Sequence, residues 1–163
     1  MNFFANANVE VCKALAKGEC VRGQWIDEDH LLVTIDGYYA YIFPRKKIYF
    51  DAELVKKFDK KLFDVEEICV PETKLKKTNE FYLAGGKMCR KFSNDNGSAF
   101  FQQSYLQKLG DDYYEYYQKV SETTKMSDLP MLVVQKVAKG NEDFTFVPVM
   151  YIMPMRVFDF VGG

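Results

Sequence analysis

Histidine is nearly missing from this chain: His30 is the single one among 163 residues. Mechanisms that need an imidazole as base or nucleophile partner therefore have one residue to draw on. No HExxH stretch, nucleophile-elbow serine, paired-carboxylate helix or phosphate-cradling glycine loop occurs. Cysteine appears as Cys12, Cys20, Cys69 and Cys89 but never as a CxxC pair, which argues against a zinc site. The N-terminus lacks a basic segment followed by an apolar one, so no secretory signal is read there. The thiols are expected to be reduced and the protein cytoplasmic. No uncharged apolar run reaches the roughly 18 residues of a membrane-spanning helix, so no membrane partner is expected. A strong charge balance is missing too. The formal net charge of -1 argues against a chain-wide binder of polyanions. Nothing calls for a cofactor, and the chain reads as non-enzymatic.

Aromatic residues are abundant, with 14 Phe, 11 Tyr and 1 Trp. Such side chains favour pleated surfaces, and tyrosine also suits contact surfaces. Charge is unevenly spread: residues 45–91 carry an excess of lysine and arginine, whereas both flanks are acidic. The length suits one domain with a core that needs no staples.

The pattern predicts a first helix over residues 8–18, capped by Asn8 and closed by Gly18, with Val11, Cys12, Leu15 and Ala16 inward. Strands follow to residue 50, with a hairpin turn at Asp36-Gly37. A second, basic amphipathic helix is expected over 51–63. Leu54, Phe58 and Leu62 form its stripe, and Lys56, Lys57, Lys60 and Lys61 lie outside it. Lys74, Lys76 and Lys77 read as a loop. Gly85-Gly86 reads as a hairpin turn, and Ser98 as the cap of a third helix closed by Gly110. Residues 113–117 fit helix or strand equally. Strands at 129–135 and from Phe144 complete the order, and Pro148 and Pro154 imply a bend or an edge in the last one. The fold class is therefore α+β: a single domain over 1–163, with an antiparallel sheet and two or three amphipathic helices.

The last strand is the most apolar stretch, and Arg156 interrupts it. Its residues Met153, Pro154, Met155, Arg156 and Val157 resemble the closing strand of the bacterial DNA polymerase III β subunit, the sliding clamp. The helix expected over 103–109, the strand at 129–134 and the Asp36-Gly37-Tyr38 turn after residues 32–35 are similar to elements of one clamp domain. The resemblance implies a clamp-like domain, a peptide-binding groove bordered by Met153, Pro154, Met155 and Arg156, and a helix surface facing double-stranded DNA through Lys56, Lys57, Lys60 and Lys61. Encircling DNA would require about four to six such domains assembled as a homo-oligomer with closed symmetry. Its size and lack of catalytic groups point to a phage or mobile element. The reading that follows is a non-enzymatic interaction or DNA-associated module of the replication type. Two alternatives stand beside it. One is a nucleic-acid binder without sequence preference that uses basic residues 45–91. The other is a metal-dependent enzyme centred on His30 with Asp27, Glu28 and Asp29.

Overall fold

The computed structural model describes residues 3–58, 65–110, 113–119, 126, 129–140 and 143–155. The chain divides into two compact units, Met1–Phe63 and Asp64–Gly163.

The first unit begins with α1, Phe3–Ala16. Gly18, at φ 75, ends it in the left-handed conformation that suits glycine. Phe3, Phe4, Ala7, Val11 and Ala14 are buried, a stripe at helical spacing. The helix starts five residues before the expected cap, so its inward face is rotated: Cys12 and Ala16 are exposed. Asn8 is a buried mid-helix residue. Its amide donates to Phe4 O and Lys47 O, each at 2.8 Å, and its carbonyl accepts from Tyr49 N at 2.8 Å. These distant partners replace the capping role that local sequence offers.

Strands β1 (Arg22–Trp25), β2 (His30–Thr34) and β3 (Tyr39–Pro44) form an antiparallel meander. The two-residue β4 (Lys56–Lys57) runs parallel to β1, giving the order β4-β1-β2-β3. The β2–β3 turn falls at Asp36-Gly37, with Gly37 at φ 84 and Tyr38 N donating to Asp36 Oδ1. Residues alternate across β3, so Tyr39, Tyr41 and Phe43 share one face. That face meets α1: Phe3 lies 5.6 Å from Tyr41 and Phe4 6.3 Å from Phe43. The Tyr39 and Tyr41 hydroxyls both donate to the Glu10 carboxylate. Gly23 permits close approach of strands, because a Cβ there would stand 2.5 Å from Leu32 O and 2.9 Å from Val55 Cγ1.

The basic helix expected over 51–63 is not what residues 51–58 form. Asp51 does cap a turn, accepting from Glu53 N, but that turn is a single 3-10 turn, Ala52–Leu54. Lys56 N then donates to Val21 O and Phe58 N to Gly23 O. The open edge of β1 takes these backbone groups, Val55 is buried, and Leu54 is left exposed. Lateral pairing outweighs a local helical period here. Residues 59–63 of the expected helix lie outside the described residues.

The second unit opens with a one-turn helix α2 (Val65–Ile68) and a 3-10 turn (Pro71–Thr73). Then come β5 (Lys74–Ala84), β6 (Lys87–Asn94) and β7 (Gly97–Gln102). A one-turn helix α3 (Gln103–Leu106) and a 3-10 turn (Gln107–Leu109) follow. Strands β8 (Glu115–Tyr117), β9 (Met131–Ala138) and β10 (Phe144–Ile152) complete it. All pairings in the order β10-β9-β8-β5-β6-β7 are antiparallel. Met155 N donates to Phe100 O at 2.7 Å, so the chain leaving β10 meets β7 at the other end of that order. This sheet is curled. Its core includes Phe92, stacked edge-on against Phe101 at 5.3 Å and Tyr116 at 4.9 Å. Pro148 borders a register shift in the β10–β9 ladder, the bend its ring implies.

The expected α+β class with two or three amphipathic helices is overturned. Among the described residues, α1 is the one helix longer than a single turn, and strands dominate the second unit. Ser98 lies in β7, paired with Ser93, rather than capping a helix. The helical spacing of Phe101, Tyr105 and Leu109 coincides with a strand end followed by α3 and a 3-10 turn. Residues 74–77, read as a loop, begin the longest strand.

Candidate nucleic-acid interface

Strands β5 and β6 form a long ribbon. Its turn is Gly85-Gly86, at φ 55 and φ 80, the pair of positive values that a two-residue hairpin loop requires. The ribbon carries Lys74, Lys76, Lys77, Lys87, Arg90 and Lys91 against one carboxylate, Glu80. Glu80 pairs with Lys91 at 3.2 Å. β8 pairs with β5 only at Lys74 and Leu75, so the outer part of the ribbon extends past it.

Register decides which side chains share a face. Lys77 is opposite Phe92, Phe81 opposite Arg90, and Leu83 opposite Met88. Directly opposed residues project to the same side. Near the base this face is core: Phe92 and Phe101 are fully buried. Toward the tip it opens, leaving Phe81, Leu83 and Met88 exposed, with Leu83 at 67%. The Arg90 guanidinium lies 4.9 Å from the Phe81 ring centroid. Its Nε donates to Thr78 O at 2.6 Å and an Nη to Asn79 Oδ1 at 2.9 Å, so it is fixed in place. Partial burial, and then repulsion from Arg90, hold the Lys77 ammonium below its usual range. Lys76 and Lys87 stand on the other face, Lys76 on β5 opposite Ser93 and Lys87 at the turn opposite Ala84.

Beside the base of this face is a cleft of about 410 Å³ bordered by Lys74, Lys77, Tyr113, Glu115 and Tyr116. Glu115 is buried and pairs with Lys74 at 2.5 Å, while its other oxygen is 3.4 Å from the Tyr117 hydroxyl. The hydrogen bond with Glu115 raises the Lys74 pKa against the opposing effect of burial. The Lys77 ammonium is 5.8 Å from the Tyr116 ring centroid. Burial raises the Tyr116 phenol, and Arg90 opposes that shift.

Of the residues singled out in the sequence, Met153 is exposed, Pro154 and Met155 are half-buried, and the Met155 amide is engaged with Phe100. Arg156 lies outside the described residues. Lys56 and Lys57 are exposed on β4, and Lys57 Nζ turns back to Ala52 O and Val55 O. Lys60 and Lys61 lie outside the described residues. His30 Nδ1 stands 3.0 Å from each Asp27 carboxylate oxygen, and Asp27 Oδ1 also accepts from Asp29 N. Among the described residues no three His, Cys, Asp or Glu side chains converge as a metal site would need. No helix among them is long and apolar enough to cross a membrane. The exposed Phe81, Leu83, Met88 and Tyr113 were not singled out from sequence. The signal was the mixing of apolar and basic residues over 81–91, which register alone sorts by face.

Comparison with known proteins gives no match to any family model, curated protein or solved structure. The resemblance to the sliding clamp therefore rests on residues 153–157 and the weaker features named with them.

Proposed function

We propose that this protein binds single-stranded nucleic acid without an enzymatic step, and that the β5–β6 ribbon is the contact surface. The observation that carries this reading is the open face of the ribbon, where exposed Phe81 lies beside Arg90 and Lys77 stands farther toward the base on the same face. Bases stack on aromatic faces while cations track the phosphates, and this combination needs no sequence preference. Exposed ring faces favour a single strand over a duplex, whose base faces are already covered. The reading agrees with the basic character of residues 45–91 but confines the contact to its second half. A peptide groove at Met153, Pro154 and Met155 has less support, because the Met155 amide is already committed to Phe100.

The test is fluorescence anisotropy with a labelled oligothymidylate and, separately, a duplex. Tight, salt-sensitive binding of the single strand is expected, weakened about tenfold in Phe81→Ala, the scale of one base–aromatic stack. Lys77→Glu should weaken it further. Equal affinity for the duplex, or binding indifferent to both substitutions, would discard the proposal. Retention on anionic vesicles but not on oligonucleotides would reassign the apolar tip to a lipid surface.

A further inference from the structure

We infer that the cleft at the base of the ribbon is a pocket for one nucleotide, with the base against Tyr113 and its phosphate at Lys77. The inference deepens the single-strand reading and rests on it for the strand that would deliver the base.

Size comes first. Sites for small ligands run roughly 300–1,000 Å³, and this cleft, at about 410 Å³, fits one base with its sugar and phosphate. The walls come next. Tyr116 is locked edge-on against Phe92 at 4.9 Å and forms a rigid side. Tyr113 is 76% exposed and borders the same cleft, so its ring is available for stacking. Two tyrosines around an open cleft suit a flat aromatic guest.

Charge supplies the second half of the guest. Lys77 borders the cleft and, among the described residues, forms no ion pair with a carboxylate; Arg90 does not border the cleft but stands on the same face of the ribbon, two residues along β6 from the Phe92 that opposes Lys77. An ammonium on the wall of the cleft with no acid paired to it suits an anion, and the guanidinium on the same face adds to the positive field there. A phosphate with two negative oxygens would relieve their repulsion. Lys74 is different: Glu115 neutralises it. The guest is therefore an anion with an aromatic part.

Glu115 gives the edge preference. An ionised carboxylate only accepts hydrogen bonds. One oxygen of Glu115 holds Lys74 at 2.5 Å, and the other has only the long 3.4 Å contact with Tyr117. That loosely engaged oxygen suits a base bearing an exocyclic amino group, as cytosine does and uracil does not.

The experiment is a tyrosine-fluorescence and NMR titration of the whole chain with cytidine monophosphate, uridine monophosphate and inorganic phosphate, beside the oligonucleotide assay. Saturable binding of the cytidine nucleotide is expected, tighter than that of the uridine nucleotide and much tighter than that of phosphate. Tyr113→Ala changes an exposed side chain and so spares the fold; it should weaken nucleotide binding about tenfold. Glu115→Gln, whose amide offers either a carbonyl or an NH2 to the base edge, should narrow the cytidine preference. If mononucleotides bind and oligonucleotides do not, the pocket stands and the ribbon reading falls. If oligonucleotides bind while mononucleotides leave Tyr113 and Tyr116 unmoved, the pocket is overturned and the ribbon stands. Equal competition by phosphate, or no binding by any probe, also overturns the pocket.

Discussion

Single side chains hold distant segments together in this protein, and Asn8 is the plainest case. Its amide joins the turn of α1 at Phe4 to the segment at Lys47 and Tyr49 through three hydrogen bonds. Asn8→Ala leaves the Tyr49 amide and the Lys47 carbonyl without that partner. It should cost about 2 kcal/mol of unfolding free energy, read as a lower urea midpoint with unchanged slope. Cys69 makes a pH-dependent case. Burial, and then the Glu115 charge, push its thiol up from 9.0 to about 12. The fold therefore retains a proton that the unfolded chain releases above pH 9. The stabilisation is whole below that pH and is lost as pH rises toward 12, at no more than about 1.4 kcal/mol per pH unit. Tyr151, raised by burial to about 12, acts in the same direction, starting from its usual 10.0. Urea midpoints at neutral pH and near pH 10 should converge for Cys69→Ala relative to the parent chain. Equal alkaline slopes in both would exclude Cys69 as a source. Cys12 and Cys20 are exposed while Cys69 and Cys89 are buried, so a thiol reagent should modify the first pair fast and the second pair only on unfolding.

Elements were legible where turn chemistry names them, and illegible where pairing decides them. Asp36-Gly37 and Gly85-Gly86 mark their hairpins because glycine accepts the positive φ those loops need. The last strand is an apolar run whose Pro148 marks its irregularity. The failures share one cause. Residues 51–58 carry a helical stripe, yet β1 offers an unpaired edge, and two backbone bonds to Val21 and Gly23 settle the conformation. Ser98 resembles a helix cap but finds Ser93 across the ladder. The candidate surface was half legible. Its basic character is visible in residues 45–91, but the face that brings Phe81, Arg90 and Lys77 together depends on a register shift in β5 between Lys77 and Phe81. Across that shift four residues of β5 span two of β6, so Lys77 and Phe81 keep a common face, but which β6 residues oppose them is set by the pairing and not by local spacing. The ribbon turn gives an element-scale prediction. Gly86, at φ 80, has no atom within 4 Å of the point where a Cβ would stand, so Gly86→Ala meets backbone strain and no clash. The expected loss is about 1 kcal/mol. In hydrogen exchange it should appear as faster opening confined to β5 and β6. Gly85→Asn should be nearly neutral, since asparagine tolerates that conformation.

At the scale of the molecule, a net charge of -1 conceals a local cationic ribbon. A protein of this balance cannot attract a polyanion by its overall field, so binding has to arise from contacts at the ribbon itself. The salt dependence then counts those contacts. Single strands release counterions with a slope of about -0.7 per phosphate neutralised. Should Lys76, Lys77, Lys87 and Arg90 each meet one phosphate, the plot of log affinity against log salt falls with a slope of about -3. Lys87→Glu, at the turn and clear of the cleft, should make that slope shallower by about 0.7 or a little more. It should leave the mononucleotide affinity unchanged, because Lys87 does not border the cleft. Lys56→Glu, on β4 of the other unit, should alter neither quantity. A slope that responds to Lys56 as strongly as to Lys87 would place the phosphate path on the first unit and remove the ribbon from the interface. A slope near zero with binding retained would make the association apolar, carried by Phe81, Leu83 and Met88 alone.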